Sequence, residues 1–367
     1  MKAPPIPENV ALAQGVAAPQ HGPRPLPLFL DLLWRQTEGD PDLRRRAFLG
    51  LRRYQSAIRP SPPPALPAFA AAGSAKMLRA GTDDASTNDD RAPVVFIPSL
   101  INPPRVLDIS ADRSMVRHMA AAGHDAFLID WGTPTAADHG LDLTGHVTDR
   151  LLPLLATLSR PPILVGYCLG GTLALGAAKA AGVQAIATIA APWQFSGFPQ
   201  ADQQQVASLW RGAKPMCQRL GYAPMEVLQS GFWSLDPDRT IRKYAAFADM
   251  ADGSAQQHAF MAIEDWANEG PPLTFAAARQ LFEDFYTGND TGEGRWQIAG
   301  AAVDLAALSC PNFSICSSTD RIVPAAAAPP LADTRTLATG HVGMIVGSNA
   351  RANVWNPLSD WLSRVGG

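Results

Sequence analysis

Cysteine is scarce. Cys168, Cys217, Cys310 and Cys316 are the four in the chain, widely separated and with no C-x-x-C pair, which argues against a disulfide framework and against a thiolate zinc site. Charge of one sign is not in excess either: 33 acidic residues stand against 30 Lys and Arg, a net charge of −3. Such a balance provides no basic field for nucleic acid. No apolar run approaches the roughly 18 residues of a membrane span. The opening Met1-Lys2-Ala3-Pro4-Pro5 lacks the apolar centre of a secretory signal. The expectation is a cytoplasmic protein with no nucleic-acid partner, no transmembrane segment, no metal and no redox cofactor. What the chain does have is core material. Its 367 residues are 47% hydrophobic, enough for one large domain or two.

Residues 1–27 hold seven prolines and fit an arm or strap laid on a surface. From Leu28 to Ile58, Leu43, Ala47, Leu51 and Tyr54 recur at helical spacing and predict one or two amphipathic helices. Their arginines, Arg44 to Arg46 and Arg52 to Arg53, are suited to a membrane, CoA phosphates or a partner, but read first as a solvated face. Pro60 to Pro67 and the acidic stretch Gly81 to Arg91 mark linkers. A regular alternation then begins. Strands are expected at 93–97, 126–129, 161–165, 185–189, 311–316 and 335–337, with helices at 113–122, 144–158 and 172–181. Continuous apolar strands alternating with helices are the pattern of a parallel sheet covered on both faces, so the fold class is α/β. The rhythm stops after Pro192 and an aromatic, helix-forming stretch follows. The expected division is an N-terminal extension with amphipathic helices at 1–91, a core at 92–194 and 301–367, and an inserted helical cap at 195–300. Insertions of this kind cover the C-terminal edge of an open sheet, where ligands bind.

Cys168 stands in Gly166-Tyr167-Cys168-Leu169-Gly170-Gly171, between the apolar run 161–165 and a small-residue helix pattern. Strand, tight turn and helix in that order form the nucleophile elbow of the α/β-hydrolase fold, where small residues two positions either side of the nucleophile let strand and helix approach. A thiol at a helix N-terminus has its thiolate stabilised by unpaired N–H groups and the helix dipole. Such a turn alone also fits a buried structural cysteine, so the choice rests on finding a base and an acid.

Both are expected further along. The strand at 312–317 runs into Ser318-Thr319-Asp320, and 21 positions after Asp320 comes Gly340-His341-Val342-Gly343, again behind a short strand. Nucleophile, Asp, His is the α/β-hydrolase chain order. His341 would deprotonate Cys168 and return the proton to a leaving group, while Asp320 would hold the imidazole tautomer. The oxyanion-hole donors expected are the N–H of Leu169 and that of Leu100 or Ile101. Of the other histidines, His118 lies on an expected helix face, His124 begins a strand, and His21, His139, His146 and His258 have no acidic partner in an arranged loop, so surface or core roles are expected for all six; packing explains Cys217, Cys310 and Cys316.

The order of these pieces resembles the polyhydroxyalkanoate synthases, in particular the short class whose catalytic subunit works with a companion subunit. The resemblance is carried by Ile101-Asn102, Val106-Leu107-Asp108, Ser114 to Arg117, Leu128 to Pro134 with Ala137-Asp138, and the cysteine box. It continues through Asp265-Trp266, Phe285 to Asn289, and Thr319 to Pro324. Where the short class usually shows a W-I-F-D-S-P-like run, this chain has Trp266-Ala267-Asn268-Glu269-Gly270-Pro271. The resemblance implies transfer of (R)-3-hydroxyacyl groups from CoA to a growing polyester through acyl-Cys168. It also implies a companion subunit or homodimer and contact with a polyester granule surface. The residue reading leaves other outcomes open: a thioesterase or esterase, a dienelactone-hydrolase-like enzyme with the same G-Y-C-L-G-G box, a polyester depolymerase, or a granule-binding scaffold without activity.

Overall fold

The computed structural model describes residues 21–81 and 91–366; residues 1–20, most of the expected N-terminal arm, and 82–90 of the acidic linker lie outside them. Eight strands form one sheet: β1 (Ala68–Ala72), β2 (Ala75–Ala80), β3 (Val94–Ile97), β4 (Ala126–Asp130), β5 (Ile163–Tyr167), β6 (Ala185–Ile189), β7 (Asn312–Ser317) and β8 (Asp333–Leu337). Their spatial order is β1-β2-β4-β3-β5-β6-β7-β8. From β4 to β8 every pairing is parallel, and β2 alone runs against the others, pairing antiparallel with both β1 and β4. The chain leaves β3 toward one edge and returns to the other side with β5. That reversal opens a crevice at the carboxyl ends of β3 and β5, the place where open α/β sheets bind ligands.

The alternation along each strand explains the two layers. Val95, Ile97, Phe127, Ile129 and Leu164 face α4 (Leu169–Ala181), burying Leu173, Ala174 and Ala177 with them. The residues between, Val94, Phe96, Leu128, Ile163 and Val165, face α3 (Met115–Ala121) and α9 (Asn356–Val365). A strand buried on both faces needs continuous apolar sequence, which is what these strands have.

Between β6 and β7 the chain builds helices α5 (Gln200–Leu220), α6 (Met225–Leu235), α7 (Pro237–Phe247) and α8 (Ala255–Ala267), followed by further helical turns to Thr287. None of the helices in the described residues is long and apolar enough to cross a membrane.

The expected boundary at residue 92 is corrected. The hairpin β1–β2 closes through Gly73-Ser74, with Ala72 paired to Ala75 and Gly73 at φ +58°, and β2 then pairs with β4 over five residues. The sheet therefore begins at Ala68. The two helices expected in this region form as α1 (Leu26–Gln36) and α2 (Pro41–Ser56), and they pack on the helical region. Phe29, Leu33, Ala47 and Tyr54 share a buried cluster with Trp233, Tyr244, Phe247 and Met261. Gly50 lies so close to α7 that a Cβ there would stand 1.7 Å from the Tyr244 carbonyl oxygen.

The arginines of α2 are not uniformly a solvated face. Arg46 pairs with Asp249, and Arg53 reaches the Ala248 and Met250 carbonyls and Asp252. Past α2, Arg59 forks onto the Asp265 carboxylate at 2.9 Å to each oxygen, and Tyr54 donates to the same group at 2.6 Å. His21 also lies 3.6 Å from Asp265, so this histidine has an acidic neighbour that the sequence did not suggest.

Candidate active site

The end of β5 turns sharply. Cys168 has φ +54° and ψ −134°, a region that costs a non-glycine residue about 1–3 kcal/mol and persists only where the surroundings over-determine it. The surroundings do so here. Its N–H donates to the Ile189 carbonyl at 2.9 Å, and its carbonyl accepts from Gly171 at 2.8 Å. The glycines are required by proximity. A Cβ on Gly166 would lie 2.3 Å from Gly171 Cα, and one on Gly170 would lie 2.1 Å from the Ile97 carbonyl oxygen. The helix start of α4 is thereby wedged against the loop that follows β3. Cys168 is half-buried.

Asp320 and His341 leave the ends of β7 and β8 on the same side of the sheet. Their loops are tied together by Ser317, a buried residue at the end of β7. It accepts from the Thr339 and Thr319 N–H groups at 3.1 and 3.2 Å and donates to the Thr339 carbonyl at 2.6 Å. His341 Nδ1 meets Asp320 Oδ2 at 2.7 Å. The other carboxylate oxygen accepts from Ile322 and Val323 N–H at 2.8 and 3.1 Å. With Nδ1 committed to the carboxylate, Nε2 is the ring nitrogen left for the thiol. Burial by itself would lower the His341 pKa, but the charge of Cys168, the hydrogen bonds with Asp320 and Cys168 and the charge of Asp320 outweigh it and push it up to about 10. The electrostatics favour the imidazolium form of His341.

Cys168, Asp320 and His341 line one cavity of about 440 Å³. Its other walls include Ile101 and Asn102 from the loop after β3, and Phe232, Arg239, Lys243 and Trp266 from the helices between β6 and β7. Trp266 donates to the Pro103 carbonyl at 2.8 Å, and Asn102 Nδ2 to the Ala267 and Glu269 carbonyls at 3.1 Å each. These bonds fix the end of α8 over the loop after β3.

The two expected oxyanion positions separate. Ile101 N–H is occupied by Ser99 Oγ at 3.0 Å, whereas Leu100 and Leu169 N–H have no hydrogen-bond partner among the described residues. Leu169 is the first residue of α4, where backbone donors lack an intrahelical acceptor. Sequence reasoning missed Ser317, Ser99 and Tyr167. The Tyr167 ring centroid stands 5.2 Å from that of His341, and its buried hydroxyl has no partner among the described residues. Only its position next to the nucleophile could have signalled it.

The other expected assignments divide as follows. His124 meets Ser359 at 3.0 Å and His146 the Asp142 carbonyl at 2.7 Å, while His118 and His139 pack on Trp355 and Tyr222. Among the described residues all four cysteines are free thiols.

The model of the alpha/beta hydrolase family matches residues 94–352. The poly(3-hydroxyalkanoate) polymerase subunit PhaC of Haloarcula marismortui is 28% identical over 300 residues, covering 77% of this chain and 63% of that protein. The same-named subunit of Haloferax mediterranei is 29% identical, over 74% of this chain and 58% of its own length. That of Allochromatium vinosum is 29% identical over 74% of this chain and 80% of its own length. This chain thus spans about three-fifths of the length of the two haloarchaeal relatives, which extend well beyond the matched region.

Proposed function

The chain belongs to the alpha/beta hydrolase family and is related to poly(3-hydroxyalkanoate) polymerases, and from that premise we propose that it transfers (R)-3-hydroxyacyl groups from CoA to a growing polyester. The observation that carries the reading is the single cavity in which Cys168, held at φ +54°, meets His341 and its 2.7 Å bond to Asp320.

In this mechanism Cys168 Sγ attacks the thioester carbonyl. The tetrahedral oxyanion takes hydrogen bonds from Leu169 and Leu100 N–H. Its collapse breaks the bond to the CoA sulfur, which leaves with the proton from His341, and an acyl-cysteine remains. The hydroxyl of a second hydroxyacyl unit then gives its proton to His341 and attacks the acyl carbonyl. An ester forms and the thiolate returns. Exchange of one thioester for another is nearly neutral in free energy, so the outcome depends on the acceptor. Phe232, Trp233 and Trp266 in the cavity wall favour an apolar hydroxyacyl group over water as that acceptor.

The helices between β6 and β7 serve as the cap in this reading. The protein works in the cytoplasm at a polyester granule surface, with a companion subunit or as a homodimer. The test is incubation with 3-hydroxybutyryl-CoA, reading CoA release beside polymer and free acid. Polymer formation with CoA release is expected. Free acid without polymer points to a thioesterase, and absence of CoA release with an unmodified Cys168 overturns the acyl-CoA reading.

A further inference from the structure

The cavity that holds Cys168 has three acids in its wall, Asp236, Glu264 and Asp320, the last of them bonded to His341. Arg239, Lys243 and Arg321 all line it. Lys243 is paired with Glu264 at 2.7 Å and Arg321 with Asp236 at 2.8 Å. Arg239 stands in the first turn of α7, where a positive charge is disfavoured by the helix dipole and an adjacent acid would be the natural partner. Both nearby acids are engaged elsewhere. Asp238 is held by Arg242 at 2.9 and 2.7 Å to its two oxygens. Asp236 caps the helix by accepting Arg239 N–H at 3.1 Å, and its other oxygen takes Arg321. The Arg239 guanidinium is exposed and has no acidic partner among the described residues.

An unpaired guanidinium at the rim of a reaction cavity, with two carboxylate-paired cations in the same wall, is suited to an anionic group. Guanidinium forks match phosphate oxygens two at a time. In a CoA thioester the phosphates sit at the far end of the pantetheine arm from the reacting sulfur, so they remain at the mouth when the carbonyl reaches Cys168. We propose that Arg239 is the specificity-determining contact for the phosphate groups of the CoA moiety, with Arg321 and Lys243 adding weaker attraction. The proposal rests on the acyl-CoA reading above. It assigns Arg239 to substrate selection and leaves the bond-breaking steps to the residues around Cys168.

The test compares 3-hydroxybutyryl-CoA with S-(3-hydroxybutyryl)-N-acetylcysteamine, which has the same thioester and no phosphate. Arg239→Gln is expected to raise KM for the CoA thioester about tenfold, the loss of one charge-assisted contact, with kcat unchanged. Neither constant should move for the N-acetylcysteamine thioester. Arg239→Lys should recover part of the KM, because it restores a point charge without the fork. An unchanged thermal unfolding midpoint shows that the variants are folded. An equal shift in KM for both substrates, or none for the CoA thioester, overturns the proposal. If wild type consumes neither thioester, the acyl-transfer reading fails, and calorimetry with free CoA then reads the phosphate contact by itself: binding to wild type that weakens about tenfold in Arg239→Gln supports it, and equal or absent binding overturns it.

Discussion

His341 Nδ1 lies 2.7 Å from Asp320 Oδ2, while Asp320 Oδ1 is already held by the backbone N–H groups of Ile322 and Val323. The carboxylate therefore has one oxygen for the backbone and one for the imidazole. In Asp320→Asn the amide oxygen must take the place of Oδ1, which turns the NH2 toward Nδ1 and forces the proton onto Nε2. That tautomer cannot accept a proton from the thiol. CoA release is expected to fall by a factor of about 10²–10⁴, as it does when a triad acid is replaced by its amide.

The same pair makes a prediction about pH. The His341 pKa is raised from the ordinary 6.5 to about 10 by its neighbours. Raised above its unfolded value, the group contributes stability that is fully present below pH 6.5 and is lost as pH rises through about 10. The ring carbon of isotope-labelled His341 should report an imidazolium at pH 8 in wild type. In Cys168→Ala, which removes the influence of Cys168 on the ring, the midpoint should move down toward the ordinary value. A wild-type midpoint near 6.5 would show that these neighbours do not raise the His341 pKa.

Gly50→Ala tests whether the N-terminal helices are part of the folded body. Its Cβ would stand 1.7 Å from the Tyr244 carbonyl oxygen, so α2 has to move away from α7. The buried contacts of Leu51 and Tyr54 with that helix move with it. Overpacking of this kind costs about 1–3 kcal/mol, and the thermal unfolding midpoint should fall by several degrees. An unchanged midpoint would mean that α2 does not depend on its contact with α7.

Why the candidate site was more legible in the sequence than the first strands and the long-range contacts of the N-terminal region follows from how locally each is encoded. The elbow needs glycines at fixed offsets from Cys168 because its strand and helix touch within six residues, so the chemistry is written in one short segment. Asp320 and His341 each follow an apolar strand, and their chain order is a second local signal. Strand β1 has no such signature. Ala68–Ala72 is largely exposed and alanine-rich, with little intrinsic preference for a strand, and it exists because β2 offers it an edge. The bonds from Arg53 to residues 248–252 span nearly 200 positions, and no periodicity reports them. Ile101 was an open alternative for the oxyanion hole because nothing in the sequence reveals that Ser99 turns back on its N–H. Such short side-chain to backbone bonds compete with whatever else the backbone would do.

Asp138 offers a stability test outside the cavity. It follows β4, is almost wholly buried, and accepts from Thr135 N–H and hydroxyl at 2.7 and 2.8 Å and from Arg150 at 2.6 Å. Chiefly the Thr135 backbone bond, against burial and with help from Arg150, lowers its pKa from 3.8 to about 2. A depressed carboxylate contributes stability that is present above 3.8 and lost as pH falls through about 2. Arg150 is itself largely buried, and Gly73 of the β1–β2 turn rests against its guanidinium. Asp138→Asn therefore leaves a buried cation without its counter-charge, a defect of about 3 kcal/mol, and loosens the support of the first hairpin. The unfolding midpoint should be lower than wild type by a constant amount from pH 8 to 5, and the gap should close between pH 4 and 2 as the wild-type carboxylate takes up its proton. A gap that persists at pH 2 would mean that shape and hydrogen bonding at this position matter, and that the charge of Asp138 does not.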